Sequence, residues 1–431
     1  MAIEAEKKSP TVAGDSGPRD ASLRARATAV IPGGMYGHMS MRYMPPGYPQ
    51  FLRAGEGARI IDVDGREYVD LMCSYGPVIV GHRHPEVDRA AAAQAAMGDC
   101  LNGPTERMVE LAERLVATVQ HADWAMFAKN GTDATTLCCT IARATTGKRR
   151  ILVANGAYHG ASPSFTPVPS GTTPEDRANF VHYEYNDLAS LGAAAKSVAG
   201  DLAAVLTSPF KHDAGYDQEL VDPAFARGMR SLCDETGAAL ILDDVRCGLR
   251  MHHGGSWEPI GIAPDLSAWS KAIANGYALA AVVGTDRFRE GASSIFATGS
   301  FWFTSVAMAA SLATLDVLKR DGAVAHMVEM GTGLREGIAA QAAHHGFEVR
   351  QTGPVQMPFL SFAGDRDHVV AGRFCDLALR HGAYLHPRHN WFISAAMTDR
   401  DLAMALDATD KAFSAVGDAL SGHDEGGLAA R

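Results

Sequence analysis

Apolar residues fall along this chain in short runs with no polar face, separated by stretches of helical spacing. The runs are 124–128 (WAMFA), 151–155 (ILVAN), 202–206 (LAAVL), 238–245 (AALILDDV) and 279–284 (LAAVVG). Each suits a strand covered on both sides, as in a mostly parallel sheet. Between them, PTERMVELAERLV sets Met108, Leu111, Leu115 and Val116 on one helical face, with Pro104 suited to the first turn. Further helices are predicted over 132–146 and 223–236. Alternation of this kind predicts an α/β sandwich. Upstream, ARIIDVDG and REYVDL read as a hairpin turning at Asp64-Gly65. Past about 315 the texture changes. Helices over 304–320, 325–345, 367–382 and 399–418 frame strands at 357–362 and 391–397, which predicts a smaller α+β unit. Residues 1–20 and the tail from Ser421 are rich in Gly, Ser and charge and are expected to be mobile.

Composition narrows the functional classes. A chain of 431 residues accommodates two or three domains. The net charge is −10 and no cluster of Lys and Arg occurs, so a nucleic-acid surface is not expected. No run approaches the ~18 apolar residues of a membrane span, and the polar N-terminus does not read as a signal peptide. The seven cysteines form no C-x-x-C pair and read as free thiols of a cytoplasmic protein. Histidine pairs occur at 82/84, 252/253 and 386/389, but no Cys, Asp or Glu set completes a metal site, so none is expected.

Nucleophile-elbow, phosphate-loop, dinucleotide and zinc-protease motifs are absent. What remains is a set of separated segments. ALILDDVRCGLR delivers Asp243 and Asp244 at the carboxyl end of an apolar strand, where open α/β sheets bind ligands. Twenty-eight residues after Asp243, AWSKAIANGY sets Lys271 among small and apolar residues. A desolvated amine loses its proton readily, as a Schiff-base lysine must. AKNGTDATT places Asn130, Gly131 and Thr132 at a helix start, an anion site by its free N–H groups and dipole. ANGAYHG sets Tyr158 after a strand, where its ring can lie flat over another planar group.

In this order the segments resemble the class III aminotransferases, in the branch of glutamate-1-semialdehyde aminomutase. GHRHPEV, NGTDAT, AYHG, LDDVRCGLR, SKAIANGY and GSFWFTSVAMAA are each similar to a family segment, and the resemblance runs from IPGG at 31–34 to the last helix. It implies the pyridoxal-phosphate (PLP) fold type I. A large domain over 70–315 would carry a mostly parallel seven-stranded sheet. A smaller α+β domain would combine 316–431 with the segment 21–69. It implies that Lys271 forms the Schiff base with PLP and that Asp243 pairs with the pyridine nitrogen. Val245 and Tyr158 would cover the two ring faces. Asn130, Gly131 and Thr132 would hold the phosphate, joined by Ser300 from the second subunit of a homodimer. The reaction implied is amino transfer between an amine or amino-acid donor and a carbonyl acceptor.

Departures from the family bear on substrate choice. Ser208-Pro209 stands where the family has Glu-Pro, and the glutamate often helps with a dicarboxylate co-substrate. Gly37 and Ser40, in YGHMS, replace the serine and arginine that hold the semialdehyde carboxylate. The segment between Ala161 and Phe180 is shorter than in the aminomutase. Arg246 and Cys247 replace smaller or neutral residues. β-Phenylalanine aminotransferases of this branch have a Pro-Arg similar to that of YLHPRHNW, which makes Arg388 the candidate for a substrate carboxylate. Arg42, Arg246 and His38 are further candidates. An aminomutase, a racemase or epimerase, and a non-catalytic PLP-binding homologue are the other readings.

Overall fold

The computed structural model describes residues 16–421. A seven-stranded sheet forms its centre. In spatial order the strands are Trp124–Ala128, Ala280–Gly284, Leu266–Trp269, Ala239–Asp243, Leu202–Thr207, Arg150–Ala154 and Phe180–Tyr183. Only Ala280–Gly284 runs against its neighbours. The other six are parallel, so their carboxyl ends share one edge. The residues of Ala239–Asp243 and Leu202–Thr207 are buried throughout, which explains why neither strand shows a polar alternation.

Helices cover both faces. Gly131–Thr146 packs Leu137, Cys138 and Ile141 on one face, and Pro223–Thr236 packs Phe225, Met229 and Cys233 on the other. The predicted hairpin is present: Arg59–Asp62 pairs with Glu67–Asp70, and Gly65 takes φ 93° in the turn. A strand over Ala383–Tyr384 adds in parallel to Glu67–Asp70, joining N-terminal and C-terminal chain in one four-stranded sheet.

Four expectations need correction. Pro104 lies outside its helix, which runs Glu106–Thr118 with Thr105 at the N-cap. The segment 391–397 is not a strand. Its N–H groups go alternately to different segments: Trp391 to Pro358, Phe392 to Leu71, Ile393 to Gln356 and Ala395 to Ile79. No single neighbour accompanies it, so no ladder forms. Two strands of the central sheet, Leu266–Trp269 and Phe180–Tyr183, lie outside the predicted runs. Finally, the first helix starts at Pro18, inside the expected arm. Asp20 anchors it, accepting hydrogen bonds from the backbone of Gln50 and Phe51, both at 2.8 Å. Residues 1–15 of the expected mobile arm, and the tail beyond Ser421, lie outside the described residues.

One side chain ties the loop after Leu266–Trp269 to the N-terminal half. Asn275 accepts from the N–H groups of Ile79 and Val80, at 2.9 and 3.0 Å, and donates to the carbonyl of Gly81 at 2.8 Å. All three contacts are buried, and burying unpaired N–H groups costs about 1–3 kcal/mol each. Asn275→Ala should therefore lower stability by at least about 1 kcal/mol in denaturant unfolding. An unchanged midpoint and slope would show that these contacts carry no such weight.

Candidate active site

The carboxyl edge of the sheet gathers most of the residues singled out above. Strand Ala239–Asp243 ends on Asp243, which is 7% exposed. Its Oδ2 lies 2.7 Å from His159 Nδ1, and its Oδ1 accepts from the N–H of Val245 at 3.1 Å. An ionised carboxylate cannot donate, so the imidazole nitrogen facing it carries the proton. Asp244 turns the other way. It accepts from the Ser256 hydroxyl and, at 3.1 Å, from the Ser256 N–H. Burial raises its carboxyl to about 7. The two neighbouring carboxylates therefore face different partners, Asp243 meeting His159 and Asp244 meeting Ser256.

Lys271 follows the neighbouring strand, Leu266–Trp269. Its backbone adopts φ 50°, a region a non-glycine residue occupies only when its surroundings hold it there. Ser270 helps, donating from its hydroxyl to the carbonyl of Leu279 at 2.8 Å. Burial lowers the amine from its ordinary value to about 7. The Arg246 cation also pushes it down, and the Asp243 carboxylate opposes the shift. The two charges that flank the predicted lysine thus come from the same turn after Ala239–Asp243.

A helix start completes this edge. Helix Gly131–Thr146 is closed by a capping box, in which the Asn130 side chain accepts from the N–H of Asp133 and Asp133 accepts from the N–H of Asn130. That leaves the N–H groups of Gly131 and Thr132 for an anion. Thr132 Oγ1 accepts from the N–H of Ala161 at 3.0 Å, which seats the loop after Gly160 on the helix start. Tyr158 is 41% exposed and lies close enough for the Arg246 and Asp243 charges to act on its hydroxyl.

On the other side, Cys73, Ser74 and Tyr75 all have positive φ, at 46°, 54° and 63°. This tight turn presents Tyr75, whose hydroxyl donates to the His38 carbonyl at 2.9 Å. Its ring meets His38 edge-on at 4.8 Å and His389 at 5.2 Å. His386 completes the group, 6.0 Å from Tyr75. Burial lowers the pKa of all three histidines, and His386 falls to about 4. This wall of neutral imidazoles was not legible as a set, because its members lie in segments more than 340 residues apart. His159 was also missed as the partner of Asp243.

Three predicted residues stand apart from this group. Arg388 is exposed, and its guanidinium donates to the Asp367 carbonyl at 2.9 Å. Arg42 rests on the ring of Tyr43 at 4.5 Å. Ser300 is exposed beside the segment 97–101, where Cys100 Sγ lies 3.6 Å from its carbonyl. Arg246, by contrast, is half-buried and bonds Asn390 Oδ1 at 2.7 Å.

Comparisons with known proteins identify the family. The family described as "Aminotransferase class-III" matches residues 43–413. An aminopentol aminotransferase of Sphingopyxis macrogoltabida is 50% identical over 401 residues, 93% of this chain and 95% of that protein. A glutamate-1-semialdehyde 2,1-aminomutase of Desulfitobacterium hafniense is 31% identical over 420 residues, 91% of this chain and 97% of that one. Among solved structures, the FumI protein of Sphingopyxis sp. MTA144 in its PLP internal aldimine form superposes with a TM-score of 0.93 at 49% identity. It covers 94% of this chain and 98% of that one. With a match over most of its length and a half-identical aminotransferase relative, this chain belongs to the class-III aminotransferases, enzymes that use PLP.

Proposed function

We propose that Lys271 carries PLP covalently and that Asp243 faces the pyridine nitrogen. The observation that carries this reading is the convergence of a desolvated amine and a hydrogen-bonded carboxylate at adjacent strand ends. The surrounding residues fit the cofactor. Its phosphate requires N–H donors, which the start of Gly131–Thr146 offers. Its flat ring requires a slot, which Val245 and Tyr158 are placed to border. Two glycines keep the backbone close: a Cβ on Gly131 would meet Val245 Cγ1 at 2.7 Å, and one on Gly160 would meet Thr132 Oγ1 at 2.7 Å.

Bound PLP supplies an electron-withdrawing ring that stabilises the charge left when a proton leaves the carbon bearing the amine. The chain supplies the rest. Asp243 holds a proton at the ring nitrogen, and the hydrogen bond from His159 keeps that carboxylate in place. Lys271, whose buried amine is brought down to about 7 and so is available in its neutral form near that pH, would take the proton from that carbon and deliver it across the nitrogen to the carbon on the other side. The aminopentol aminotransferase relative supports an amine donor of that class with a carbonyl acceptor. At the rim, His38, Arg42 and Arg388 are proposed to meet the part of the substrate that projects outward.

We further propose a homodimer in which Ser300 of one protomer completes the phosphate site of the other. Met97, Leu101, Phe296 and Phe301 are 65, 55, 95 and 62% exposed on the segments beside Ser300, an apolar surface that a second copy would cover. The large unit over 70–315 and the smaller one joining 21–69 to 316–431 are proposed as the two domains. The four-stranded sheet with both N- and C-terminal strands supports that division. A cytoplasmic location is supported by seven free cysteines, and no described helix is long and apolar enough to cross a membrane.

Three outcomes follow. Only the neutral amine attacks an aldehyde, so the rate at which the apo-protein takes up PLP should rise with pH and level off just above about 7. An ordinary lysine would still be climbing toward ~10.4, and stopped-flow absorbance distinguishes the two. Asp243→Asn should lower kcat by at least about a hundredfold, since general acid–base and charge effects of this kind are worth ~10²–10⁴. Asp244→Asn should act mainly on stability, and the reverse pattern would exchange their roles. In sedimentation at assay concentration the protein should run as a dimer, and a fully active monomer would rule out the shared phosphate site.

A further inference from the structure

Arg246 is a cation set partly inside the site without an anion. It is half-buried, beside the proposed cofactor lysine. Its Nη1 donates to Asn390 Oδ1 at 2.7 Å and to the His212 carbonyl at 3.3 Å. Both acceptors are neutral. Among the described residues, no carboxylate oxygen comes within 4.0 Å of the guanidinium, and no hydrogen bond leaves Nε or Nη2. Two other inward arginines use their terminal nitrogens more fully, although the Nε of each is buried without a partner. Arg250 gives Nη1 and Nη2 to the carbonyls of Ile393, Gly76 and Val78, and Arg230 pairs with Asp234 and Asp265. Holding a cation partly out of water without an anion is unfavourable, and a carboxylate arriving at the open Nε and Nη2 would relieve that cost.

The guanidinium is also held in place. Asn390 is 2% exposed and donates from Nδ2 to the Trp391 carbonyl at 2.8 Å, which fixes its Oδ1 toward Arg246. One edge of the fork is thus anchored and the other left open. A carboxylate has two coplanar oxygens that match two N–H groups of such a fork. The charged groups acting in this neighbourhood are Asp243, Asp213 and Lys271, while His212 and His389 are kept neutral by burial and by Arg246 itself. No competing cation besides Lys271 therefore shares the space.

We propose that Arg246 binds the carboxylate of a 2-oxo acid acceptor through Nε and Nη2. This rests on the proposed function, because it takes Lys271 as the reacting lysine. It assigns to an inner arginine the role that the sequence suggested for Arg388, whose fork is turned to the Asp367 carbonyl.

The test uses the PLP-loaded enzyme with one amine donor and two acceptors, pyruvate and the uncharged aldehyde butanal. In Arg246→Met, kcat/KM for pyruvate relative to butanal should fall at least about tenfold, with the change in KM, and Arg246→Lys should restore part of it. Propionate, an unreactive carboxylate, should perturb the visible absorbance of the wild-type holoenzyme at concentrations that leave the Met variant unchanged. An unchanged acceptor ratio in a variant with the normal visible band would overturn the proposal. So would equal losses on both acceptors with a shifted pH titration of the band, which would place the guanidinium on the cofactor. A wild-type protein without a PLP band, or inactive with both acceptors, would instead refute the proposed function itself. Arg388→Ala with a larger loss on pyruvate than Arg246→Met would return the role to the rim.

Discussion

A carboxylate buried at the end of a central strand is unfavourable unless something holds it, and here His159 does so at 2.7 Å from Asp243. Much of the site follows from that contact. It fixes Asp243 toward the sheet edge, and strand geometry then sends Asp244 the other way, to Ser256. The Val245 N–H, donating to the same carboxylate, shapes the turn that carries Val245 over Gly131 and Arg246 toward Lys271. A positive and a negative charge therefore reach the lysine from one turn, and burial, helped by Arg246 and opposed by Asp243, brings its amine to about 7.

The sheet was legible where its strands are apolar on both faces, as in LAAVL and ALILD, since no other short structure buries such runs. Leu266–Trp269 escaped notice because it is only four residues long and carries Ser267. That serine is buried, and its hydroxyl is engaged by His121 and Trp269, so a polar residue fills a core position. WFISAAM failed in the opposite sense: its apolar pattern is that of a strand, but its backbone partners are scattered over three segments.

The site was legible to the degree that its chemistry is local. Lys271 and Asp243 announce themselves through strand ends and neighbours. The helix start at Asn130 does so through its capping box. What could not be read was pairing across the chain. His159 faces Asp243 from 84 residues away, and His38 and His389 meet around Tyr75 from opposite ends of the sequence. Arg388 illustrates the same limit. A Pro-Arg motif gives the residue type, but only the fold shows the guanidinium occupied by a backbone carbonyl.

The account stands on one assignment, that Lys271 is the point of covalent attachment. Borohydride reduction of the PLP-loaded enzyme, digestion and mass spectrometry of the labelled peptide test it most directly. The prediction is a single phosphopyridoxyl label on the peptide containing Ser270, Lys271 and Ala272, and none in Lys271→Ala. A label on Lys129 or any other lysine, with Lys271 unmodified, would contradict it.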